Sequence, residues 1–347
     1  LMKRNKRYII IGLLAIFIIA GLIGIHLYQR IYSPNVTIQD KEATYFYIPT
    51  GSTYNDVIDS LRSSNFIDDI ESFKWVAEKK NYDKFVQSGR YNIKNNMSNN
   101  QLVTMLRAGR QEPVDLIFNN IRTKEQLASR VAGQIEADSA NIAQLLNNDA
   151  FLEQFGFNTR TVYAMIIPNT YEFWWNTQAE EFISRMHKEY EAFWTANKKK
   201  QAEKLNFTPT DVSTLASIVD EETLRNEEMP KIAGVYINRL RKGMRLQADP
   251  TIKFAINDFS VKRVLSKHLE VDSPYNTYKN RGLPPGPISF PSIKAINSVL
   301  NYQDHDYLYF CAKPDFSGYH NFSKTHYQHI NNARKYQRAL NKERIWE

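Results

Sequence analysis

The chain of 347 residues is long enough for two modest folded domains, or for one domain with an appendage. Apolar residues make up 42% and charged residues 24%, proportions that are typical of a globular protein and exclude a disordered one. The mean hydropathy of -0.51 excludes a polytopic membrane protein. The net charge of +8 would suit nucleic acid, but four of the cations flank one apolar segment, so we predict a solvated surface and no nucleic-acid partner.

The first predicted element is an apolar segment over residues 8–28, which holds no Asp, Glu, Lys or Arg. A helix of this length spans about 30 Å, the thickness of a bilayer core. No small-residue cleavage motif follows it, so the pattern predicts an uncleaved transmembrane helix, with a cleaved signal peptide as the alternative. The basic cluster within residues 1–7 predicts a cytoplasmic tail, and therefore an extracytoplasmic location for everything after about residue 29.

A small α+β module is predicted over residues 41–110, after a polar linker at 29–40. Its pattern repeats once: a short strand, a turn and a capped amphipathic helix. The predicted elements are strands at 44–48 and 89–93 and helices that begin near Thr53, at 70–79 and at 98–107.

Strands and helices mix without a repeat over residues 111–347, which predicts a second, mixed α+β domain. The basic run 198–204 is predicted to be an exposed connection, and Cys311 a buried strand residue that has no disulfide partner. The spacing of His320, His326 and His329 matches no common ligand pattern, so we predict neither a metal nor a cofactor.

Three consecutive carboxylates end a helix in this domain, and helix phase separates them. The signal Thr208-Pro209-Thr210-Asp211 begins the helix, and one apolar face follows. Glu222 falls at the edge of that face, Asp220 on its flank and Glu221 on the opposite side. Burial raises the pKa of a carboxyl group, and a protonated acid can donate a proton to a leaving oxygen. A salt-bridged structural Glu222 is the alternative at this point.

Polar side chains cluster after the next helix, which starts near Pro230. We predict a core face that leaves Asn238 and Arg239 outside it, and a turn that carries Gln247 and Asp249. Further along, prolines and glycines within residues 272–296 predict a rigid, ordered loop that carries aromatic and amide side chains. Such groups suit a polyhydroxylated ligand, although ordinary turn chemistry is the alternative for each residue.

Four separated segments resemble, in order, those of the endolytic murein transglycosylases of the YceG-like family. They are LASIVDEET (215–223), VYINRLRKGMRLQADPT (235–251), YNTYKNRGLPPGPI (275–288) and YHNFSKTHYQH (319–329). The resemblance covers about residues 112–347 and implies a YceG-like catalytic domain over 111–347. It also implies that the module at 41–110 is similar to LysM domains, a peptidoglycan-binding fold.

In that family the catalytic acid is the Glu directly before Thr, which corresponds to Glu222. The sequence departs from the family at Asp220, where Glu is more usual. The implied reaction cleaves the β-1,4 bond between N-acetylmuramic acid and N-acetylglucosamine within glycan strands, without water or a cofactor, and leaves 1,6-anhydro ends. The residues implied to bind the glycan are Asp220, Asn238, Arg239, Gln247, Asp249, Tyr275, Asn276, Thr277, Tyr278 and Pro285.

The resemblance also implies a single-pass protein of the bacterial inner (cytoplasmic) membrane. It would limit the length of new glycan strands, with peptidoglycan as substrate and cell-wall synthesis proteins as partners. Two alternatives stay open: a muramidase that uses water, with Asp249 as its second carboxylate, and an inactive peptidoglycan-binding scaffold.

Overall fold

The computed structural model describes residues 2–38, 42–261 and 263–343. The last residues of the predicted linker (39–40), the first of the predicted module (41) and the last of the predicted catalytic domain (344–347) lie outside this range. The chain divides into two compact units. The first unit comprises the chain up to Asp115 with the segments Gln134–Glu136 and Glu172–Thr177, and the second unit comprises the remainder.

Helix α1 runs from Met2 to Tyr32, further in both directions than the predicted span of residues 8–28. Its stretch Lys6–Tyr32, with a mean hydropathy of 2.8, is long and apolar enough to cross a membrane. The structure differs from the predicted linker at 29–40 because the helix continues through Tyr32. Val36, which bridges to Ile67, is then buried in the core of the first unit.

The first unit contains one antiparallel strand pair and three helices after α1. Thr53 and Ser98 each form a capping box, which explains why two of the helices begin where the sequence predicted. The apolar faces of all three helices pack with the strands into one core around Phe73 and Tyr91. The elements are β1 (Ala43–Ile48), α2 (Tyr54–Ser63), α3 (Ile70–Lys79), β2 (Gly89–Lys94), which pairs with β1, and α4 (Asn99–Arg107).

The elements after α4 are mostly helical, with two short two-stranded sheets, β3 with β4 and β5 with β6. The predicted mixture of helix and sheet is therefore confirmed. In chain order they are β3 (Val114–Phe118), α5 (Lys124–Ala132), α6 (Ser139–Leu146), α7 (Asp149–Glu153), α8 (Val162–Met165), β4 (Asn169–Phe173), α9 (Ala179–Phe193), α10 (Ala196–Lys204), α11 (Pro209–Glu222), α12 (Met229–Arg241), α13 (Asp249–Ala255), α14 (Ile293–Leu300), β5 (Tyr309–Ala312), β6 (His320–Ser323) and α15 (His326–Lys342).

Three local predictions were wrong. The basic run 198–204 belongs to helix α10, because Thr195 caps it by accepting a hydrogen bond from the Lys198 N–H. Asp249 begins helix α13, although a turn was predicted there, since Pro250 fits the first turn of a helix. Cys311 does lie in a strand, but it is only half-buried.

Helix α11 lies at the centre of the second unit. The predicted capping box between Thr208 and Asp211 is confirmed. The prediction of a single apolar face was wrong, because every residue from Val212 to Val219 is buried and helices α8, α10, α12, α13 and α14 pack around it. Exposed surface returns only at the carboxyl end of α11, where the three acids lie.

Candidate active site

Glu222 is the last residue of α11, and a buried tyrosine holds its carboxyl group. The Tyr236 hydroxyl donates a hydrogen bond of 2.7 Å to the Glu222 Oε1 atom. Tyr236 is 1% exposed on α12, and the Phe310 ring packs edge-on against it at 5.8 Å. The Glu222 side chain is half-buried. Its carboxyl group is therefore fixed from one side and open from another.

The surroundings of Glu222 favour the protonated acid. Burial raises the pKa of Glu222 from 4.5 to about 7. The hydrogen bond from Tyr236 opposes this shift, while the negative charge of Asp249 adds to it. The cations Arg239 and Lys253 lower the pKa by smaller amounts. A carboxyl group in this environment can both donate and accept a proton near neutral pH.

A second carboxylate lies in the same region but has different partners. Asp249, at the start of α13, is exposed, and its Oδ1 atom accepts a hydrogen bond of 2.5 Å from the Tyr278 hydroxyl. Burial, followed by this hydrogen bond and the Asp249 charge, raises the pKa of Tyr278 far above its ordinary value. Tyr278 therefore stays a hydrogen-bond donor, and its hydroxyl holds the Asp249 carboxylate in place.

Glu222 lines two cavities of the second unit. The large cavity, about 820 Å³, also contains the other two acids, Asp220 and Glu221, with amide, hydroxyl and apolar groups. The small cavity, about 370 Å³, brings together several predicted site residues with aromatic rings and histidines. Its lining is Glu222, Tyr236, Arg239, Leu246, Gln247, Asp249, Tyr278, Tyr309, Phe310, His326 and His329. The acid is thus placed where a chain-like ligand could pass on both sides of it.

The other two acids of the triplet make structural contacts. Asp220 accepts hydrogen bonds from the backbone N–H of Ser292 at 2.8 Å and from its hydroxyl at 3.1 Å. Ser292 is the N-cap of α14, so Asp220 joins the end of one helix to the start of another. Glu221 forms an ion pair with Arg122 at 2.9 Å.

Two predicted site residues on α12 are engaged with backbone carbonyls. Arg239 was predicted outside the core face, but it is buried and donates to the carbonyl oxygens of Leu308 (2.7 Å) and Leu246 (2.6 Å). It still lines the small cavity, where it supplies positive charge. Asn238 donates to the carbonyl oxygens of His305 and Tyr307, away from the cavity linings.

The proline-rich loop supplies Tyr278 to the small cavity, while its other predicted residues lie elsewhere. Asn276 is fully buried and donates to the carbonyl oxygens of Leu269 and Val271. Thr277 is also buried and accepts a hydrogen bond from the Ala248 N–H.

Tyr275 and Pro285 differ in exposure but share a position outside the two cavity linings. Tyr275 packs against Phe254 with a ring separation of 4.6 Å, whereas Pro285 is exposed. The loop therefore positions Tyr278 and the strained Gln247, which has φ of 50° and donates its N–H to the Thr277 carbonyl.

Sequence reasoning missed the position of three residues that line the small cavity, Tyr236, His326 and His329. Tyr236 was assigned to the core because of its helical position, and periodicity does not indicate where a buried hydroxyl points. His326 and His329 were considered only as metal ligands, although they belong to the fourth family-like segment, and they line the small cavity. Burial lowers the pKa of His329, so its ring is neutral at pH 7. Within the described ranges, no group of His, Cys, Asp and Glu could hold a metal ion.

One titratable carboxyl group, hydrogen-bonded and open to two cavities, defines a candidate acid–base site. The chain matches the family model of the YceG-like family over residues 46–335. It is 29% identical over 331 residues to the endolytic murein transglycosylase of Bacillus subtilis, with 90% of each chain covered. It is also 29% identical to the endolytic murein transglycosylase of Streptococcus pneumoniae, covering 86% of this chain but only 59% of that protein.

The structure is similar to the crystal structure of a YceG-like protein from Listeria monocytogenes. The TM-score is 0.56 at 30% sequence identity, and the match covers 84% of this chain and 99% of that one. The chain belongs to the YceG-like family, as its four sequence segments predicted.

Proposed function

We propose that the chain is a lytic transglycosylase that cleaves the glycan strands of peptidoglycan internally, with Glu222 as its single general acid and base. The observation that carries the proposal is the Glu222 carboxyl group, whose pKa burial raises to about 7 at the junction of two cavities. The names of the Bacillus and Streptococcus relatives support the same reaction.

The proposed reaction needs one proton to leave Glu222 and one to return. Protonated Glu222 donates to the glycosidic oxygen as the bond from that oxygen to C1 of the muramoyl residue breaks. The muramoyl C6 hydroxyl then attacks C1, and the Glu222 carboxylate takes the hydroxyl proton. One C–O bond forms for the one that breaks, so the 1,6-anhydro product requires no water. The negative charge of Asp249, which lines the same cavity as Glu222, stabilises the positive charge that develops at C1.

A muramidase is the second candidate, and Asp249 is the observation that favours it. A glycosidase that uses water employs two carboxyl groups, one of which activates the water or forms a covalent intermediate. Asp249 lines the same cavity as Glu222 and is exposed. The Tyr278 hydroxyl already occupies the Asp249 Oδ1 atom, which leaves less of the carboxylate free to bind a water and favours the intramolecular reaction.

The location of the reaction follows from α1. We propose that α1 anchors the chain in the bacterial cytoplasmic membrane with its basic amino end in the cytoplasm. The remainder of the chain then lies where new glycan strands are made. Internal cleavage at that place limits strand length and puts the enzyme near cell-wall synthesis proteins.

The test is digestion of purified sacculi with the wild type and with Glu222→Gln. Gln keeps the shape of the side chain and removes its titratable proton, so we expect a loss of about 10²–10⁴-fold in cleavage rate. Glu221→Gln is the matched control, because it makes the same change one residue away and breaks only the contact with Arg122. We expect this control to keep most of the activity.

Mass spectrometry of the products separates the alternatives. Anhydromuramic ends from the wild type support the transglycosylase. Reducing muramic ends without anhydro ends would replace it with the muramidase. If the wild type and every variant leave the glycan strands intact, the remaining interpretation is a peptidoglycan-binding scaffold.

A further inference from the structure

A further polar cavity lies in the first unit, in a part of the chain with no role in the proposed reaction. It measures about 440 Å³ and is lined by Lys80, Phe85, Gln87, Thr104, Arg107 and Ala108. The lining comes from the segment between α3 and β2 and from the carboxyl end of α4. We call it the cation pocket.

The pocket contains two cations, Lys80 and Arg107. Lys80 is half-buried and donates to the Asn100 Oδ1 atom at 2.5 Å and to the Thr104 hydroxyl at 2.6 Å. An ammonium group has three protons, so one donor is left. Arg107 is exposed, and in the part of the chain that the structure describes neither cation forms an ion pair.

The electrostatics of the pocket favour an anion. Burial and then the charge of Arg107 lower the pKa of Lys80. An anion in the pocket would relieve the repulsion between Lys80 and Arg107, and a guanidinium group can bind a carboxylate through two parallel hydrogen bonds.

The other lining groups suit a short peptide. The Phe85 ring is 56% exposed at the pocket and can pack against small aliphatic side chains. The Gln87 side chain is exposed beside it and can pair with a peptide bond through both its oxygen and its amide hydrogens. A peptide that combines a carboxylate with alanine-sized side chains therefore matches the pocket in charge, size and polarity.

We propose that the cation pocket binds a carboxylate of a peptidoglycan peptide stem. This inference rests on the proposed function, which places the chain on peptidoglycan, and it adds a binding site in the first unit. The second unit would cleave the sugar backbone while the first unit holds the peptide that is attached to it. The number of unlinked peptide stems along a glycan strand would then determine how long the enzyme stays bound to that strand.

The experiment is calorimetric titration of the full chain, as the Glu222→Gln variant in detergent, with a sugar-free stem peptide. We expect saturable binding at one site, and Arg107→Gln should weaken it about tenfold, the effect of losing one hydrogen bond to a charged group. Arg110→Gln is the matched control, because Arg110 is equally exposed but does not line the pocket. Phe85→Ala should weaken binding by a smaller factor.

Several outcomes would overturn the proposal. These are no binding by the parent, equal weakening by Arg107→Gln and Arg110→Gln, or equally tight binding of a peptide with amidated carboxyl groups. Binding of a glycerol phosphate oligomer with the same dependence on Arg107, and more tightly than the peptide, would reassign the pocket to phosphate polymers. Because the titration involves no cleavage, it succeeds or fails independently of the sacculus digest.

Discussion

Asp220 and Glu222 are two residues apart on one helix, yet their carboxyl groups occupy opposite kinds of environment. Burial raises the pKa of both. Asp220 faces the start of α14, where the Ser292 backbone N–H and hydroxyl hold it. Glu222 has one donor, Tyr236, and faces two cavities. Burial alone therefore does not produce a catalytic acid: the group must also have an unoccupied side where a substrate can reach it.

The largest expected effect is on the pH dependence of stability. The pKa of Glu222 is about 7 in the folded chain and about 4.5 unfolded, so the folded state binds more protons between these values. Stability of the wild type should therefore fall as pH rises from about 4.5 to 7, by on the order of 3 kcal/mol. Glu222→Gln should lack this loss. Denaturant unfolding of both proteins at pH 5 and pH 8 measures this loss of stability. If the stability difference between the wild type and Glu222→Gln is the same at both pH values, the environment assigned to Glu222 is contradicted.

Asp220→Asn should reduce stability and change kcat little, whereas Glu222→Gln should mainly reduce the cleavage rate. The amide has one acceptor oxygen where the carboxylate has two, so it can accept only one of the two hydrogen bonds from Ser292. Leaving a buried group unsatisfied costs about 1–3 kcal/mol. Unfolding midpoints and initial rates on the same preparation separate the two effects. A loss of kcat as large as that of Glu222→Gln would assign Asp220 to the chemistry and remove the distinction between the two acids.

Tyr236→Phe should lower the maximal rate about tenfold, because Glu222 loses the hydrogen bond that orients its carboxyl group. That bond lowers the pKa of Glu222, so its removal raises the pKa. The general acid then stays protonated to higher pH, and the alkaline limb of the pH–rate profile should move upward. Tyr309→Phe, in the same cavity but without a hydrogen bond to Glu222, serves as the control. An unmoved limb in Tyr236→Phe would show that the tyrosine acts only through packing.

Glu221→Gln should have the smallest effect. The side chain pairs with Arg122, which is 46% exposed, and a surface ion pair contributes about 0–1 kcal/mol. Thermal unfolding at low and high salt checks this, since the contribution should shrink as salt increases. A stability loss above that of Asp220→Asn would mean that Glu221 carries more than a surface contact.

Elements with local signals were predictable from the sequence. Capping residues such as Thr53, Ser98 and Thr208 fix helix starts through hydrogen bonds three residues away, so their patterns are visible in the chain itself. Helix α10 escaped prediction because its polar residues show no apolar face, and its cap at Thr195 was overlooked.

The candidate site was only partly predictable, because its local signals are visible in the sequence and its long-range contacts are not. Helix phase and the family segments both indicated Glu222, but the phase argument assumed a surface helix, whereas α11 is buried on all sides. Tyr236, His326 and His329 come to line the same cavity as Glu222 through long-range packing, which no spacing in the sequence reveals. Asn276 and Thr277 look like ligand-binding groups in the sequence, yet the loop itself needs their hydrogen bonds. In such loops, polar side chains form the hydrogen bonds that buried backbone groups need, and they are then not available to a ligand.

Glu222 also ends the 14-residue helix α11, and this gives its carboxyl group a fixed electric field. The aligned peptide dipoles of a helix place about half a negative charge at its carboxyl end, where an anion is disfavoured. This field comes from the backbone, so no side-chain substitution removes it and no substrate is needed to create it. Salt screens exposed charges over about 8 Å at physiological strength, but it affects partly buried groups much less. The acid should therefore keep its proton affinity across the changing ionic conditions outside a cell.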